Sequence, residues 1–148
     1  MIMKKFAICV LLALTASWVG AAEGEWLTDF PKAQAQAKTE NKMVFLDFTG
    51  SDWCPPCKAL HKNVLTSKEF LEFAKDNLVL VELDFPRRKK LSAELQKTNR
   101  ALSEKFNVEA FPTLIVLDSK GKELSKEAGY GGESAKEFVG KLEKLKKK

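Results

Sequence analysis

Two cysteines separated by two prolines are the residues of this chain best suited to chemistry. Cys54 and Cys57 stand in the stretch Trp-Cys-Pro-Pro-Cys-Lys, and Pro55 suits the first position of a helix. The spacing therefore predicts Cys54 at a helix N-terminus, where free N–H groups and the helix dipole stabilise a thiolate. Cys57 follows one turn later, close enough for a disulfide and more shielded by the helix. We expect Cys54 to attack a disulfide and Cys57 to resolve the mixed disulfide.

The prolines between the cysteines also limit how far the thiolate is stabilised. Pro55 and Pro56 have no N–H group. The amides of Cys57 and Lys58 are therefore the donors that remain near the sulfur. A thiolate held in this way is stabilised less than one with a histidine between the cysteines, which argues against a strongly oxidising couple. The motif thus favours a reductase over an oxidase or isomerase.

An acidic residue inside an apolar strand is a further candidate for the chemistry. The run Met43–Phe48 is short and apolar, as in a strand covered on both faces, and Asp47 is its exception. A buried carboxylate is costly unless it has a partner or a task. One interpretation is that Asp47 accepts the proton of Cys57 through water. The alternative is a carboxylate satisfied by local hydrogen bonds or by Lys58.

The same cysteines allow two other interpretations. A purely structural disulfide would close so small a loop that it constrains the unfolded chain little. A zinc site could add His61, four residues after Cys57, but structural zinc takes four ligands and no second cysteine pair follows. We therefore expect no metal and no other cofactor. His61 itself is expected at the helix surface or the core edge, or as a group that tunes the thiols.

The cysteine motif and a later proline together resemble the thioredoxin family. The stretch Trp53–Lys58 follows a strand that carries Asp47, and Phe-Pro-Thr stands at 111–113. The lead-in Phe-Thr-Gly-Ser-Asp-Trp-Cys resembles the exported bacterial branch of that family. The resemblance covers roughly residues 26–145. One departure is that the family's buried carboxylate stands one residue nearer the first cysteine, and a bulge within 49–52 would absorb the difference.

The resemblance implies a substrate-binding surface beside the sulfur. In the family a cis proline faces the active-site disulfide, and Pro112 is the matching position. Its cis peptide would present the backbone of Ala110 and Phe111 to an extended polypeptide, with Thr113 beside it. Trp53 is expected to be a half-exposed platform that shields the sulfur and contacts the partner. The alternatives are simple core packing for Trp53 and an ordinary strand-opening proline for Pro112.

The rest of the chain predicts the elements that position these residues. Apolar periodicity, capping residues and turn signals indicate four strands and five helices, including an antiparallel hairpin. The first predicted helix lies in the segment 26–41 and begins after a cap at Thr28 or Asp29. The other predicted helices are 55–66, 68–76 capped by Ser67, 92–106, and one that starts at Glu133 or Ser134; the predicted strands are 43–48, 78–83, 113–118 and 123–128. This order is typical of an α/β fold, here thioredoxin-like, with a central mixed β-sheet flanked by helices.

Residues 1–22 predict a secretory signal peptide. Two lysines precede an apolar run that ends at about Val19, and small residues follow up to Ala22. Cleavage there would remove Cys9 and leave one thioredoxin-like domain over 23–148. That domain would be exported to the periplasm or, alternatively, secreted. The apolar run is short for a membrane span, and an uncleaved anchor is the alternative.

The charge of the chain excludes one class of partner. Loss of residues 1–22 removes two lysines, so the formal charge falls from +5 to +3. So mild a charge gives no argument for nucleic acid, and we expect none as a partner. The basic run Arg87–Lys90 is either a solvated loop or a surface that steers an acidic partner or membrane headgroups.

Together these patterns predict an exported, monomeric thiol-disulfide oxidoreductase that works as a reductase. Its partners would be protein disulfides and a membrane thiol carrier that returns electrons to it. The alternative from another class is a redox-inert thioredoxin-like binding or chaperone module whose disulfide only stiffens it. Exchangeable thiols separate the two, because an inert module would keep its function as Cys54→Ser.

Overall fold

The computed structural model describes residues 24–147, and within them five strands form one mixed sheet. The strands are β1 (Trp26–Leu27), β2 (Met43–Thr49), β3 (Leu78–Asp84), β4 (Thr113–Leu117) and β5 (Glu123–Ala128). Their order across the sheet is β1-β3-β2-β4-β5. Strands β1, β3 and β2 are parallel, and β4 is antiparallel to both β2 and β5. The predicted α/β fold and its hairpin are confirmed.

The helices cover both faces of the sheet and begin where the sequence predicts caps. They are α1 (Phe30–Glu40), α2 (Pro55–Leu60), α3 (Lys68–Asn77), α4 (Ala93–Lys105) and α5 (Ala135–Lys146). The Asp29 carboxylate accepts a hydrogen bond from the amide of Lys32 at 2.9 Å. Ser134 and Glu137 form a capping box at the start of α5. Local side-chain chemistry therefore fixes these helix starts.

A short strand that the sequence did not predict precedes the first helix. The helix begins at Phe30, and Trp26–Leu27 forms an edge strand that pairs in parallel with Leu80–Val81. A strand of two residues is too short to show the alternation by which strands are recognised. The predicted cap at Asp29 is confirmed, and the strand before it is an element that the sequence did not predict.

The helix through the cysteines is wound differently from the regular α-helix that the sequence predicts. α2 ends at Leu60, and a π-helical turn continues it over His61–Leu65. In this turn the amide of Thr66 donates to the carbonyl of His61, five residues back, at 3.1 Å. The predicted core residues of the segment, Leu60, Val64 and Leu65, are nevertheless all buried.

Alternation along the strands gives the sheet two buried faces. Phe45 of β2 packs with residues of α2, α3 and α5, while its neighbour Leu46 packs with residues of α1 and α4. Phe45 makes edge-to-face contacts, at centroid distances of 5.5–6.1 Å, with Trp26, Phe70 and Phe138. The central strand is therefore covered on both sides, as its apolar sequence predicts.

The topology brings three loops to one edge of the sheet. Strands β2 and β3 are parallel and end at Thr49 and Asp84, whereas β4 runs in the opposite direction and begins at Thr113. The loops after β2 and β3 and the loop before β4 therefore meet at the same edge. They carry the cysteine pair, the basic run Arg87–Lys90 and the Phe111–Pro112 peptide.

The predicted signal peptide, residues 1–22, lies outside the described part of the chain. The predicted domain over 23–148 is described except for its first and last residues. In the described part, no helix has both the length and the apolar composition needed to cross a bilayer.

Candidate redox site

Cys54 and Cys57 are joined in a disulfide at the start of α2. Their Cα atoms are 5.3 Å apart, and Cys54 is the residue that caps the helix. Pro55 and Pro56 occupy the first helical positions. The amide of Cys57 donates to the sulfur of Cys54 at 3.3 Å. The Cys54 sulfur therefore lies at a helix N-terminus, where a thiolate is stabilised.

Two details of the sulfur environment differ from the prediction. Cys57 is not the more shielded cysteine, since 2% of Cys54 and 3% of Cys57 are exposed. The cause is a turn that folds Cys54 onto the sheet edge through a 2.9 Å hydrogen bond from its amide to the Gly50 carbonyl. The amide of Lys58 donates to the carbonyl of Cys54 at 3.1 Å instead of to its sulfur. Of the two amides predicted near the sulfur, only that of Cys57 reaches it.

The extra residue between Asp47 and Cys54 lies in a turn and not in a bulge. The pairing of β2 with β3 is unbroken up to its last residue, Thr49. The amide of Trp53 donates to the Gly50 carbonyl at 3.2 Å and closes the turn. A Cβ atom at Gly50 would lie 2.5 Å from the Trp53 ring, so this close approach requires glycine. The predicted bulge is wrong because the turn accommodates the additional residue.

Asp47 is a buried carboxylate on the sheet face that α2 covers. It lies two residues after Phe45, so the two side chains share that face, and Asp47 is 5% exposed. Its Oδ1 atom has no hydrogen-bond partner among residues 24–147. Lys58 is directed elsewhere, because its Nζ donates to the carbonyl of Asp52 at 3.1 Å. The structure therefore does not pair Asp47 with Lys58, which was one of the alternatives for this carboxylate.

Burial and two neighbouring carboxylates raise the pKa of Asp47 to about 7, burial being the largest cause. Glu82 lies directly opposite Asp47 on β3, and Asp84 stands two residues further on the same face. Burial and Asp84 also raise the pKa of Glu82, while Lys89 and His61 oppose that shift. This cluster is visible in the sequence, because acidic residues occupy alternate positions, Glu82 and Asp84, at the end of the otherwise apolar strand β3.

Trp53 joins the cysteine loop to both neighbouring loops. Its indole N–H donates to the carbonyl of Phe85 at 2.8 Å, and the guanidinium carbon of Arg87 lies 3.8 Å from its ring centroid. Its ring meets that of Phe111 edge to face at 5.9 Å. The half-buried Trp53 is thus packed against its neighbours and still partly accessible next to Cys54.

The residues before β4 are held in a fixed backbone arrangement. The Phe111–Pro112 peptide bond is cis, the geometry that the resemblance implies. The Pro112 carbonyl accepts a hydrogen bond from the amide of Gly129 at 2.7 Å. Thr113 is buried, and its hydroxyl donates to the carbonyl of Ala110 at 2.7 Å. Pro112 and Thr113 therefore shape the loop, while Phe111 is the side chain that packs against Trp53.

His61 lies at the exposed start of the π-helical turn, on the side of Glu82. Residues 24–147 contain no group of three or more His, Cys, Asp or Glu side chains placed to hold a metal ion. The structure therefore brings together the cysteine pair, Trp53 and Phe111 at one edge, with Asp47 and Glu82 on the sheet beneath α2.

The raised pKa of Asp47 predicts how stability depends on pH. Between an ordinary carboxyl pKa of about 4 and the folded value of about 7, the folded protein binds more protons than the unfolded chain. The free energy of unfolding therefore decreases as pH rises through this window. Asp47→Asn removes the titrating group. We expect it to stabilise the oxidised protein relative to wild type more at pH 8 than at pH 4, by a difference on the order of 3 kcal/mol.

Urea unfolding of the oxidised protein at both pH values measures this difference. Glu94→Gln, a change at an exposed residue in the first turn of α4, is the matched control and should show no comparable difference. The same effect of Asp47→Asn at pH 4 and pH 8 would contradict the assignment of a raised pKa to Asp47.

Comparison with known proteins agrees with this geometry. The profile of the thioredoxin-like domain matches residues 30–146. The disulfide bond reductase DsbH of Chlamydia pneumoniae is 35% identical over 108 residues, which cover 73% of this chain and 64% of that protein. The thioredoxin-related protein DsbJ of the same organism is 28% identical over 136 residues, covering 88% and 39%. This chain therefore spans less than two thirds of the length of either relative.

Solved structures give the same result. A structure of the DsbH oxidoreductase superposes with a TM-score of 0.78 at 31% identity and covers 90% of this chain and 91% of that one. A thioredoxin from Thermus thermophilus superposes with a TM-score of 0.62 at 20% identity, covering 83% and 87%, and so shares the fold. With the family match over most of the described residues, these findings establish that the chain belongs to the family of proteins with a thioredoxin-like domain.

Proposed function

We propose that this protein is an exported thiol-disulfide oxidoreductase that exchanges the Cys54–Cys57 dithiol with protein disulfides and works as a reductase. The observation that carries the proposal is the disulfide-bonded pair Cys54 and Cys57 at the N-terminus of α2. This helix covers the sheet face that holds the buried carboxylate of Asp47, whose pKa is about 7. A pair so close in sequence contributes little to stability, so a structural role alone explains it poorly. The similarity to a protein named disulfide bond reductase supports the same direction.

The two cysteines and Asp47 divide the reaction among them. The Cys54 thiolate attacks one sulfur of the substrate disulfide; that bond breaks, a mixed disulfide forms, and the other substrate sulfur leaves as a thiolate. Cys57 then gives its proton to Asp47 through water and attacks the Cys54 sulfur. The second substrate sulfur leaves as a thiolate, and the protein is left with the Cys54–Cys57 disulfide. A carboxylate with a pKa near working pH suits this proton transfer.

Substrate binding is assigned to the loop before β4 and to Trp53. The half-buried Trp53 and Phe111 rings form an aromatic surface next to Cys54. The backbone of Ala110 and Phe111 would receive an extended substrate segment, as the family resemblance implies. Pro112 and Thr113 would contribute by fixing that backbone, since both side chains are buried.

The direction of exchange follows from the weak stabilisation of the thiolate. The segment between the cysteines contains no imidazole, and a single amide reaches the Cys54 sulfur. A weakly stabilised thiolate gives a reducing couple. An oxidase or isomerase is the alternative within this class, and a redox-inert binding module is the alternative outside it.

The cellular setting is part of the proposal. Residues 1–22 would direct export to the periplasm, with secretion as the alternative, and the working protein would be a monomeric domain over 23–148. A reductase in an oxidising compartment needs a source of electrons, so a membrane thiol carrier would re-reduce the Cys54–Cys57 disulfide. Similarity to the thiol:disulfide interchange protein DsbD of Pseudoalteromonas atlantica, 30% identical over 99 residues that cover 15% of that protein, supports thiol–disulfide interchange as the chemistry.

Cysteine variants test the proposed exchange. The reduced wild-type protein should reduce a peptide disulfide, and Cys54→Ser should abolish the reaction because the nucleophile is lost. Cys57→Ser should accumulate a mixed disulfide through Cys54, which mass spectrometry of alkylated samples detects. The redox-inert alternative predicts no exchange by the wild type and no trapped species with Cys57→Ser.

Asp47→Asn tests the proton transfer. If Asp47 accepts the Cys57 proton, the variant should still form the mixed disulfide but resolve it about a hundredfold more slowly at pH 7. The wild-type resolution rate should rise with pH through about 7, the pKa of Asp47, and the variant should lack this step. Rapid mixing, an acid quench at set times and alkylation of the remaining free thiols measure both rates. An unchanged pH profile in the variant would exclude Asp47 from the proton transfer.

A further inference from the structure

We propose that the basic residues beside the redox site bind an acidic segment of the polypeptide partner and so position its disulfide at Cys54. The surface comprises the cationic turn, defined as Arg87, Arg88, Lys89 and Lys90, together with Arg100 of α4. The proposal rests on the proposed function, because it assigns to that function a preferred class of substrate. Four independent features of the structure support it: anchoring, free charge, a cavity and an unpartnered buried acceptor.

The cationic turn is anchored to the residues that precede the nucleophile. The Asp52 carboxylate accepts hydrogen bonds from the backbone amides of Arg87, Arg88 and Lys89 at 2.9, 2.7 and 2.9 Å. The Arg87 guanidinium stacks on Trp53, the residue next to Cys54. A solvated loop without a task needs no such attachment. The anchoring holds the backbone of the turn against the two residues that precede Cys54, so a partner bound there would lie beside the sulfur.

The charges of this surface are largely free to meet a partner. All four side chains of the cationic turn are exposed. Within the described chain, its ion pairs are limited to Lys89 with Asp84, whose Nζ and Oδ2 atoms are 3.9 Å apart. The nearby Asp52 carboxylate accepts hydrogen bonds from backbone amides, which lower its pKa and keep it charged, so it offsets part of the positive charge. Arg88, Lys90 and Arg100 make no ion pair with the described residues, so the five basic side chains outnumber the neighbouring carboxylates of Asp52 and Asp84 and the surface keeps a net positive charge.

A cavity of about 290 Å³ lies between the cationic turn and α4. Its lining includes Lys89, Lys90 and Arg100 on two sides, together with Asp84, whose carboxylate is paired with Lys89. The volume is sufficient for one or two amino-acid side chains. The cavity therefore offers a place where carboxylates can enter, and not only a convex patch of charge.

Asn99 at the wall of this cavity indicates which acidic partner fits. Asn99 is 1% exposed, and its amide nitrogen donates to the carbonyl of Asp84 at 2.9 Å. That bond fixes the orientation of the amide and leaves Oδ1 buried with no partner among residues 24–147. The oxygen can accept a hydrogen bond from an N–H or O–H donor. A polypeptide supplies backbone N–H groups as well as carboxylates, whereas a phosphodiester backbone supplies acceptors only.

Two peptides with the same disulfide test the proposal. One carries Asp and Glu beside the cystine, and the other carries Asn and Gln at the same positions. At low salt the reduced wild-type protein should reduce the acidic peptide with a kcat/KM roughly tenfold higher than the neutral one, because of electrostatic steering and binding. At 0.5 M NaCl the difference should largely disappear.

Charge reversal with a matched control identifies the surface responsible. Arg88→Glu/Lys90→Glu should invert the preference, so that the acidic peptide becomes the poorer substrate. Lys120→Glu/Lys144→Glu makes the same change in net charge at exposed positions in the β4–β5 turn and late in α5. This control should keep the wild-type preference. A preference retained by Arg88→Glu/Lys90→Glu, or lost equally in the control, would overturn the proposal.

Binding measured without redox chemistry separates this proposal from the proposed function. The acidic peptide with serine in place of cysteine should shift the NMR signals of the Arg87–Lys89 amides in the oxidised protein. Binding without turnover of any disulfide would retain the surface and overturn the proposed function. Turnover with equal kcat/KM for both peptides would overturn the surface. One further outcome would overturn the surface as a peptide site. The protein would bind phosphatidylglycerol vesicles, Arg88→Glu/Lys90→Glu would abolish that binding, and the wild type would show no preference between the two peptides.

Discussion

The burial of the central strand β2 between two layers of helices is the constraint on which the rest of the structure depends. Asp47 can have a pKa of about 7 only because helices cover both faces of β2 and because Glu82 lies opposite it. Its ionisation lowers stability, since the folded protein must hold a charge away from water. A carboxyl group with a pKa near 7 can take up and release a proton at neutral pH, which is why we propose Asp47 as the acceptor of the Cys57 proton.

The second organising feature is the attachment of the three loops to one another at a single sheet edge. Trp53 contacts the loop after β3 through Phe85 and Arg87 and the loop before β4 through Phe111. The Asp52 carboxylate also accepts hydrogen bonds from the backbone amides of Arg87, Arg88 and Lys89. The surroundings of the sulfur are therefore held by side chains that adjoin it in sequence, so a change at residues 52 or 53 should disturb the substrate surface as a whole.

Much of this arrangement could be predicted from local sequence. The helix starts at Asp29 and Ser134 follow from capping chemistry, and the placement of Cys54 follows from the prolines after it. The two-residue strand at Trp26, the π-helical turn and the register that sets Glu82 opposite Asp47 could not, because they depend on contacts between distant segments. The equal burial of the two cysteines likewise depends on how the preceding turn folds onto the sheet.

The central claim is that the chain is a reductase, and the reduction potential of the Cys54–Cys57 couple tests it most directly. Equilibration of the domain in defined thiol buffers, followed by alkylation and mass measurement, gives this value. Because a single amide, that of Cys57, reaches the Cys54 sulfur, we predict a value of about −250 mV or lower. A potential above roughly −180 mV would contradict it, since a couple of that kind oxidises or isomerises its substrates.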